Sequence, residues 1–447
     1  MLAADTIVAC ATPWGRGAVA MVRLSGPDAL AIARLACPDG PEWVPRRLSL
    51  RRVLGASGMI DEALVAWLPG PRTFTGEEVV EISGHGNPVL VDAVVDRLVA
   101  LGARPARPGE FTRRAVEHGR MDLVDAESLA ALVSAQAPAG IAQARAGSRP
   151  LQEALGSTRD RLLDLAAELE ARLDHPGDDL ALEDDTAVSD RLFALANEAE
   201  GLAEGWRAGR LRLEGATVAL VGPVNAGKST LFNALVGRTR ALVSPEAGTT
   251  RDVVEASVVW EGLAITLLDT AGLREAAGPV EAAGMALARQ MRAEADLEVV
   301  VLPAHQPLDA DGRCALAEVA GRPHRVVIAQ ADRGRVLVLP ASEESAVEVS
   351  AETGAGLDAV RAVIRDGLGL STPHAARAAL TSQRQHDLCR ALAEHAREAS
   401  EALLGALGPA VAAEACTAAL ERLAELSGAD VREDVRDRLF ARFCIGK

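Results

Sequence analysis

The sequence predicts a multidomain protein of mixed α+β and α/β class. An N-terminal α+β domain is followed by a helical domain, into which an α/β domain with a mostly parallel sheet is inserted. Three observations carry that expectation. At 447 residues the chain exceeds one ordinary domain, and about two to four are expected. Its texture changes along its length, from short apolar runs to helical periodicity to strand–helix alternation and back to helix. Finally, "ALVGPVNAGKSTLFNAL" (219–235) holds a glycine-rich loop between an apolar run and a helical one.

Residues 1–118 mix "DTIVACAT", "GAVAMVRLSG", "EALVAWLP" and "EVVEISG" with Gly/Pro turns, then a helical "PVLVDAVVDRLVALG". Short apolar runs bounded by turn residues read as strands, so this part is α+β. From 119 to 214 the period is helical. "LLDLAAELEARL" sets Leu162, Leu165, Ala166, Leu169 and Leu173 on one stripe, and "HPGDD" (175–179) breaks that helix.

Over 215–371, "ATVALVG", "AITLLDT", "LEVVVLP", "HRVVIAQ" and "AVEVS" alternate with helical stretches. This implies right-handed βαβ units and a parallel sheet. Residues 372–447 are helical again. Because domain termini lie close together, 119–214 and 372–447 read as one helical domain carrying the α/β unit as an insertion.

Composition narrows the function. Apolar residues make up 49% of the chain, and the 25% charged residues fit a globular protein. A net charge of −16 argues against a protein that coats nucleic acid unaided, since that affinity comes from Lys and Arg neutralising phosphates. "RPARPGEFTRRAVEHGR" (104–120) is locally basic and reads either as a solvated face or as an anion site. Cys10, Cys37, Cys314, Cys389, Cys416 and Cys444 form no CxxC pair, as expected of thiols in a reducing cytoplasm. The Ala/Leu-rich stretch at 402–416 is interrupted by Pro409 and Glu414 and is too short to span a bilayer. No membrane association is expected.

Gly222–Ser229 fits G-x-x-x-x-G-K-[ST], placed after a strand and opening a helix as phosphate binding requires. Asn225, Ala226, Gly227, Lys228, Ser229 and Thr230 would line the phosphates, with Lys228 on the β/γ-phosphates and the Ser229 hydroxyl on Mg²⁺. "GTTRD" (248–252) has the place of a first switch, bringing Gly248, Thr249 and Thr250, the last as second Mg²⁺ ligand. "DTAG" ends a strand, with Asp269 for the Mg²⁺ shell and Thr270, Ala271 and Gly272 near the γ-phosphate. The order is that of a P-loop GTPase.

Base reading normally uses N-K-x-D, and here the stretch is "AQAD" (329–332). Asp332 can still accept from guanine N1 and N2, with Ser350 and Ala351 of "SAET" in the next loop. A lost neutral hydrogen bond costs roughly 0.5–1.5 kcal/mol, so GTP is expected to bind more weakly but still in preference to other bases. Leu273 stands where many GTPases orient water with Gln. Asn225 is either a turn residue or the ligand of a monovalent cation that supplies the missing charge.

These stretches closely resemble the bacterial tRNA modification GTPases of the MnmE (TrmE) family. The likeness extends to "DTIVACATPWGRGAVAMVRLSG", "RTFTGEEVVEISGHG", "RPGEFTRRAVEHGRMDLVDAES", "DTAGLRE" and the terminal "FCIGK". It implies a homodimer with an N-terminal tetrahydrofolate-binding domain and K⁺-stimulated GTP hydrolysis. It further implies modification of wobble uridine 34 of tRNA at C5 with an FAD-dependent partner, MnmG (GidA), in a heterotetrameric or larger complex that holds the tRNA mainly through the partner.

Residue by residue, the resemblance puts K⁺ at Asn225, Ser244, Glu246 and Thr249, with Glu246 acting through its backbone. It makes Glu281 the catalytic carboxylate and sets 5-formyl-tetrahydrofolate, or a related tetrahydrofolate, against Arg23, Glu81, Arg120 and Lys447. Arg120 stands where Lys is expected, and Asn87 where the family pattern has Gly. The rival expectation is a regulatory GTPase switch of the ribosome-assembly type, without modification chemistry of its own.

Overall fold

The computed structural model describes residues 5–174, 183–237, 254–269, 290–343, 345–370, 378–405, 407–429, 433–441, 443 and 446. The backbone groups into two compact units, Met1–Ala130 with Ala424–Lys447, and Ala131–Leu423.

The first unit is built on a six-stranded sheet of order β3-β4-β5-β2-β1-β6. The strands are β1 (Ile7–Cys10), β2 (Val19–Ser25), β3 (Leu48–Gly55), β4 (Gly58–Leu68), β5 (Val79–His85) and β6 (Arg104–Pro105). All neighbours run antiparallel except β1 and β6. Helices α1 (Ala29–Ala36) and α2 (Pro88–Ala100) cover one face, packing Ile32, Ala33, Val91, Val94 and Leu98 on Val22, Leu24, Val80 and Ile82.

The departure at Asn87 is a helix cap. Its side chain accepts from the Val89 amide at 3.0 Å and Pro88 follows at the first helical position, an arrangement that suits both residues. Helix α3 (Glu110–Glu117) follows β6. Farther along, Phe440 and the aromatic ring of Phe443 pack with Leu123 and Ala126.

Strand β3 was not legible as an apolar run because its pattern is inverted. Leu50 is 56% exposed while Arg51 is 3% exposed, its guanidinium 4.0 Å over the Trp43 ring and hydrogen-bonded to the Asp39 and Pro41 carbonyls.

In the second unit, helix α7 (Asp185–Glu204) packs along Gln383–Leu404 and on α6 (Arg149–Asp174), and Cys416 of Gly408–Ser427 meets the Leu162 carbonyl of α6. Ser189 and Ser400 share a buried 2.7 Å hydrogen bond between α7 and Gln383–Leu404. Leu162, Leu165 and Leu169 are buried as their spacing predicts, whereas Leu173, in the last turn of the helix, is 40% exposed. The "HPGDD" segment lies outside the described residues. Among the described residues no helix is long and apolar enough to cross a membrane.

The α/β part of this unit has strand order β12-β11-β10-β7-β9-β8. The members are β7 (Ala216–Val221), β8 (Val254–Trp260), β9 (Leu263–Asp269), β10 (Leu297–Pro303), β11 (His324–Ala329) and β12 (Val347–Glu348). Every pair is parallel except β8–β9. Alternate residues of one strand enter two cores: Ala216, Val218 and Leu220 of β7 face one, Ala219 and Val221 the other. Burial on both faces explains the near-continuous apolar runs. Because β7 lies between β9 and β10, the order reverses there, and a ligand crevice opens beyond its C-terminal end.

Candidate nucleotide site

The loop Gly222–Gly227 leaves β7 at that crevice and enters α9 (Lys228–Val236). Gly222 has φ +141°, and a Cβ there would lie 2.3 Å from the Val301 carbonyl oxygen, so the sharp exit from β7 needs glycine. Gly227 caps α9 in the left-handed region, with φ +94°. Ala226 is fully buried and anchors the loop, while Asn225, Ser229 and Thr230 are exposed at its rim. The cleft above the loop encloses about 550 Å³.

Lys228 is only 6% exposed. Its ammonium donates to the Gly222 and Pro223 carbonyl oxygens at 3.1 and 2.7 Å. These contacts orient the ammonium at the loop, and the amide ends of α9 add a positive partial charge beside it. Asp269 is buried at the end of β9, in register with Leu220 of β7, two residues before the loop begins. An ammonium, helix amides, a hydroxyl and one carboxylate are the parts that bind a Mg²⁺-chelated polyphosphate.

The base-reading loop lies after β11. Ala329 is buried and Asp332 is exposed. The Ser350 hydroxyl, and then its own backbone amide, hold the Asp332 carboxyl below the usual carboxylate range. Ser350 is itself fixed, its amide bonded to Ala355 O at 2.9 Å and its hydroxyl accepting from the Thr353 amide at 3.2 Å; Ala351 is half-buried beside it. Gln330 does more than stand in for a missing Lys. Its side-chain amide donates to the Asn225 carbonyl oxygen at 3.1 Å, a contact invisible in the sequence because 105 residues intervene.

The family described as GTP-binding protein TrmE N-terminus matches residues 6–120, and the MnmE helical domain matches residues 123–444. The chain is 43% identical to the tRNA modification GTPase MnmE of Myxococcus xanthus over 447 residues, covering 99% of both chains. It is 40% identical to that of Halorhodospira halophila, covering 99% of this chain and 96% of the relative. For Alkalilimnicola ehrlichii the identity is 38%, with full coverage of both. The chain belongs to the MnmE family of tRNA modification GTPases.

In this MnmE-family chain two of the N-terminal residues singled out from the sequence lie on neighbouring strands. Arg23 of β2 and Glu81 of β5 are direct cross-strand partners, bonded at 2.7 and 3.0 Å. The Arg23 guanidinium lies 5.8 Å from the Phe74 ring and 5.9 Å from the Phe111 ring. Arg120 donates to the Thr73 carbonyl oxygen at 3.0 Å, one residue from Phe74. A half-buried ion pair beside two aromatic rings is a wall suited to a flat, polar heterocycle. Ser244, Glu246, Gly248, Thr249, Thr250, Thr270, Ala271, Gly272, Glu281 and Lys447 lie outside the described residues, as do Leu273 and Cys444.

The basic stretch 104–120 divides: Arg107 and Arg120 are exposed, while its other three arginines are bound to carboxylates. Arg104 binds Asp5 and Glu110, each at 2.6 Å, and Arg113 binds Glu117 and Asp437. Arg114 is buried among Asp5, Glu77 and Glu110 at 2.6, 3.1 and 3.2 Å. Burial pushes the Glu110 carboxyl up, but hydrogen bonds from Arg104 and the Arg107 amide, with both guanidinium charges, hold it below the usual range. Asp5 is lowered against burial in the same way by Arg104 and Arg114. Arg104, Arg113 and Arg114 are therefore struts of the framework.

Proposed function

We propose that this protein hydrolyses GTP in a K⁺-stimulated cycle that drives tRNA modification at C5 of wobble uridine 34, together with an FAD-dependent MnmG partner. The observation that carries the reading is the buried Lys228 ammonium. It is held by two loop carbonyls at the head of α9 beside the carboxylate-bearing end of β9, in a chain of the MnmE family. Relatives bearing the name tRNA modification GTPase MnmE support the substrate.

In this reading Lys228 and the loop amides bind the β/γ-phosphates, and Asp332, oriented by Ser350, accepts from guanine N1 and N2. Ser229 and Thr250 would hold Mg²⁺, and Asn225, Ser244, Glu246 and Thr249 would hold K⁺; these oxygen donors suit both hard cations. Bound there, the two ions would supply positive charge against the developing charge of phosphoryl transfer. Glu281 would orient the attacking water in place of the absent Gln. The wall of Arg23, Glu81 and Arg120, with Lys447, would take tetrahydrofolate as one-carbon donor. The protein would act as a cytoplasmic homodimer, with tRNA held mainly by the partner, in keeping with the chain's net charge of −16.

The test is GTP hydrolysis in KCl and NaCl at equal ionic strength, with ATP as control. GTP-selective stimulation by K⁺ is expected. Equal slow rates in the two salts would remove the cation from the mechanism, and equal turnover of ATP would remove Asp332 as base reader.

A further inference from the structure

The contact between Gln330 and Asn225 has features that a chance surface hydrogen bond would not have. Four non-glycine residues among those described have positive φ, and two of them, Gln330 at +57° and Asn225 at +61°, are the two partners. Left-handed backbone is costly for side chains other than Asn, Asp and Gly, and Gln330 holds it where its side chain lies across the phosphate loop. The glycine at 227 makes room for it: a Cβ there would come within 3.3 Å of Gln330 Nε2 and 3.6 Å of its Cγ. The amide is held although its other end is unsatisfied, for Gln330 Oε1 is buried with no hydrogen-bond partner. A backbone strain and an orphaned acceptor, kept together at one contact in a ligand cleft, point to function.

We propose that Gln330 is a positioning residue that latches the base-reading loop to the phosphate loop. Its Nε2–H donates to the Asn225 carbonyl oxygen and so sets the spacing between Asp332, two residues beyond it, and Lys228, three residues beyond Asn225. The proposal rests on the nucleotide reading above and deepens it. Gln330 supplies a neutral donor where N-K-x-D supplies a charged one, and it touches the loop without reading the base. Base choice is left to Asp332, and the latch governs affinity for every nucleotide alike.

The experiment is a fluorescence titration of the full chain with a fluorescent GDP analogue, with GDP, GTP and IDP as competitors. Gln330→Ala should weaken GDP, GTP and IDP by the same factor, about two- to tenfold, the equivalent of one neutral hydrogen bond. The GDP-to-IDP preference should stay unchanged. Gln330→Lys, which restores a donor on a long stem, should recover the parent affinity, whereas Gln330→Glu, an isostere with acceptors alone, should not. Parent-like affinity of Gln330→Ala and Gln330→Glu would overturn the latch while leaving the nucleotide site intact. A changed GDP-to-IDP preference would overturn it in favour of base reading. If the parent chain bound none of these nucleotides, the latch and the nucleotide reading would fall together.

Discussion

Lys228 and Arg114 are both buried cations, yet their surroundings give them opposite uses. Two backbone carbonyl oxygens orient the Lys228 ammonium at the mouth of the nucleotide cleft. Arg114 is held by the carboxylates of Asp5, Glu77 and Glu110, which consume its charge in joining the start of the chain, the β4–β5 connection and α3. A cation that lines a ligand cleft can meet an anionic ligand, whereas one enclosed by three carboxylates is part of the framework. Counting basic residues along a sequence does not separate the two cases.

The largest effect that would break this comparison is on the framework side. Arg114→Ala leaves Glu110 buried with one cation fewer, and a loss of about 3 kcal/mol in urea unfolding at pH 7 is expected, since removing one partner strands the others. A loss near zero would mean that the three carboxylates are hydrated. Acid sharpens the same point. The Asp5 and Glu110 carboxyls are lowered in the folded state, so their contribution is complete above the unfolded value of about 4. It fades as pH falls from there through the folded values. Arg114→Ala should flatten that acid limb, and an unchanged limb would count against the network.

On the ligand side, Lys228→Ala should leave urea unfolding within about 1 kcal/mol of the parent, since hydrogen bonds such as those to the Gly222 and Pro223 carbonyls contribute little net stability. Nucleotide affinity should fall by about 10–100-fold, the worth of charge-assisted hydrogen bonds to phosphate. The reverse outcome, lost stability with intact binding, would make Lys228 a strut like Arg114. The smallest effect belongs to a purely local contact. Asn87→Ala removes the cap of α2 and should cost about 1 kcal/mol in the same unfolding measurement, with nucleotide binding untouched.

What could be read without coordinates was whatever the chain decides locally. The phosphate loop is legible because a strand, two glycines in unusual backbone conformations and a helix start all fall within about a dozen residues, each demanding its residue type. Strands β7, β9, β10 and β11 are legible because a sheet buried on both faces requires continuous apolar runs.

Strands β3 and β8 were not among the runs that stood out. The first points leucines outward and an arginine inward; the second is an antiparallel edge strand whose run is broken by Glu255 and Ser257.

The order of residues was enough to show an α/β part with a phosphate-binding loop and a resemblance to one tRNA-modifying family along the chain's length. Which partner each charge meets, and which residues hold the site in register, came only with the fold. Arg114 meets Asp5 across 109 residues and Glu77 across 37, and Gln330 meets Asn225 across 105. The strength of a charge or a hydrogen bond depends on the partner that folding brings to it and on the water it displaces, and neither is written in the order of the residues.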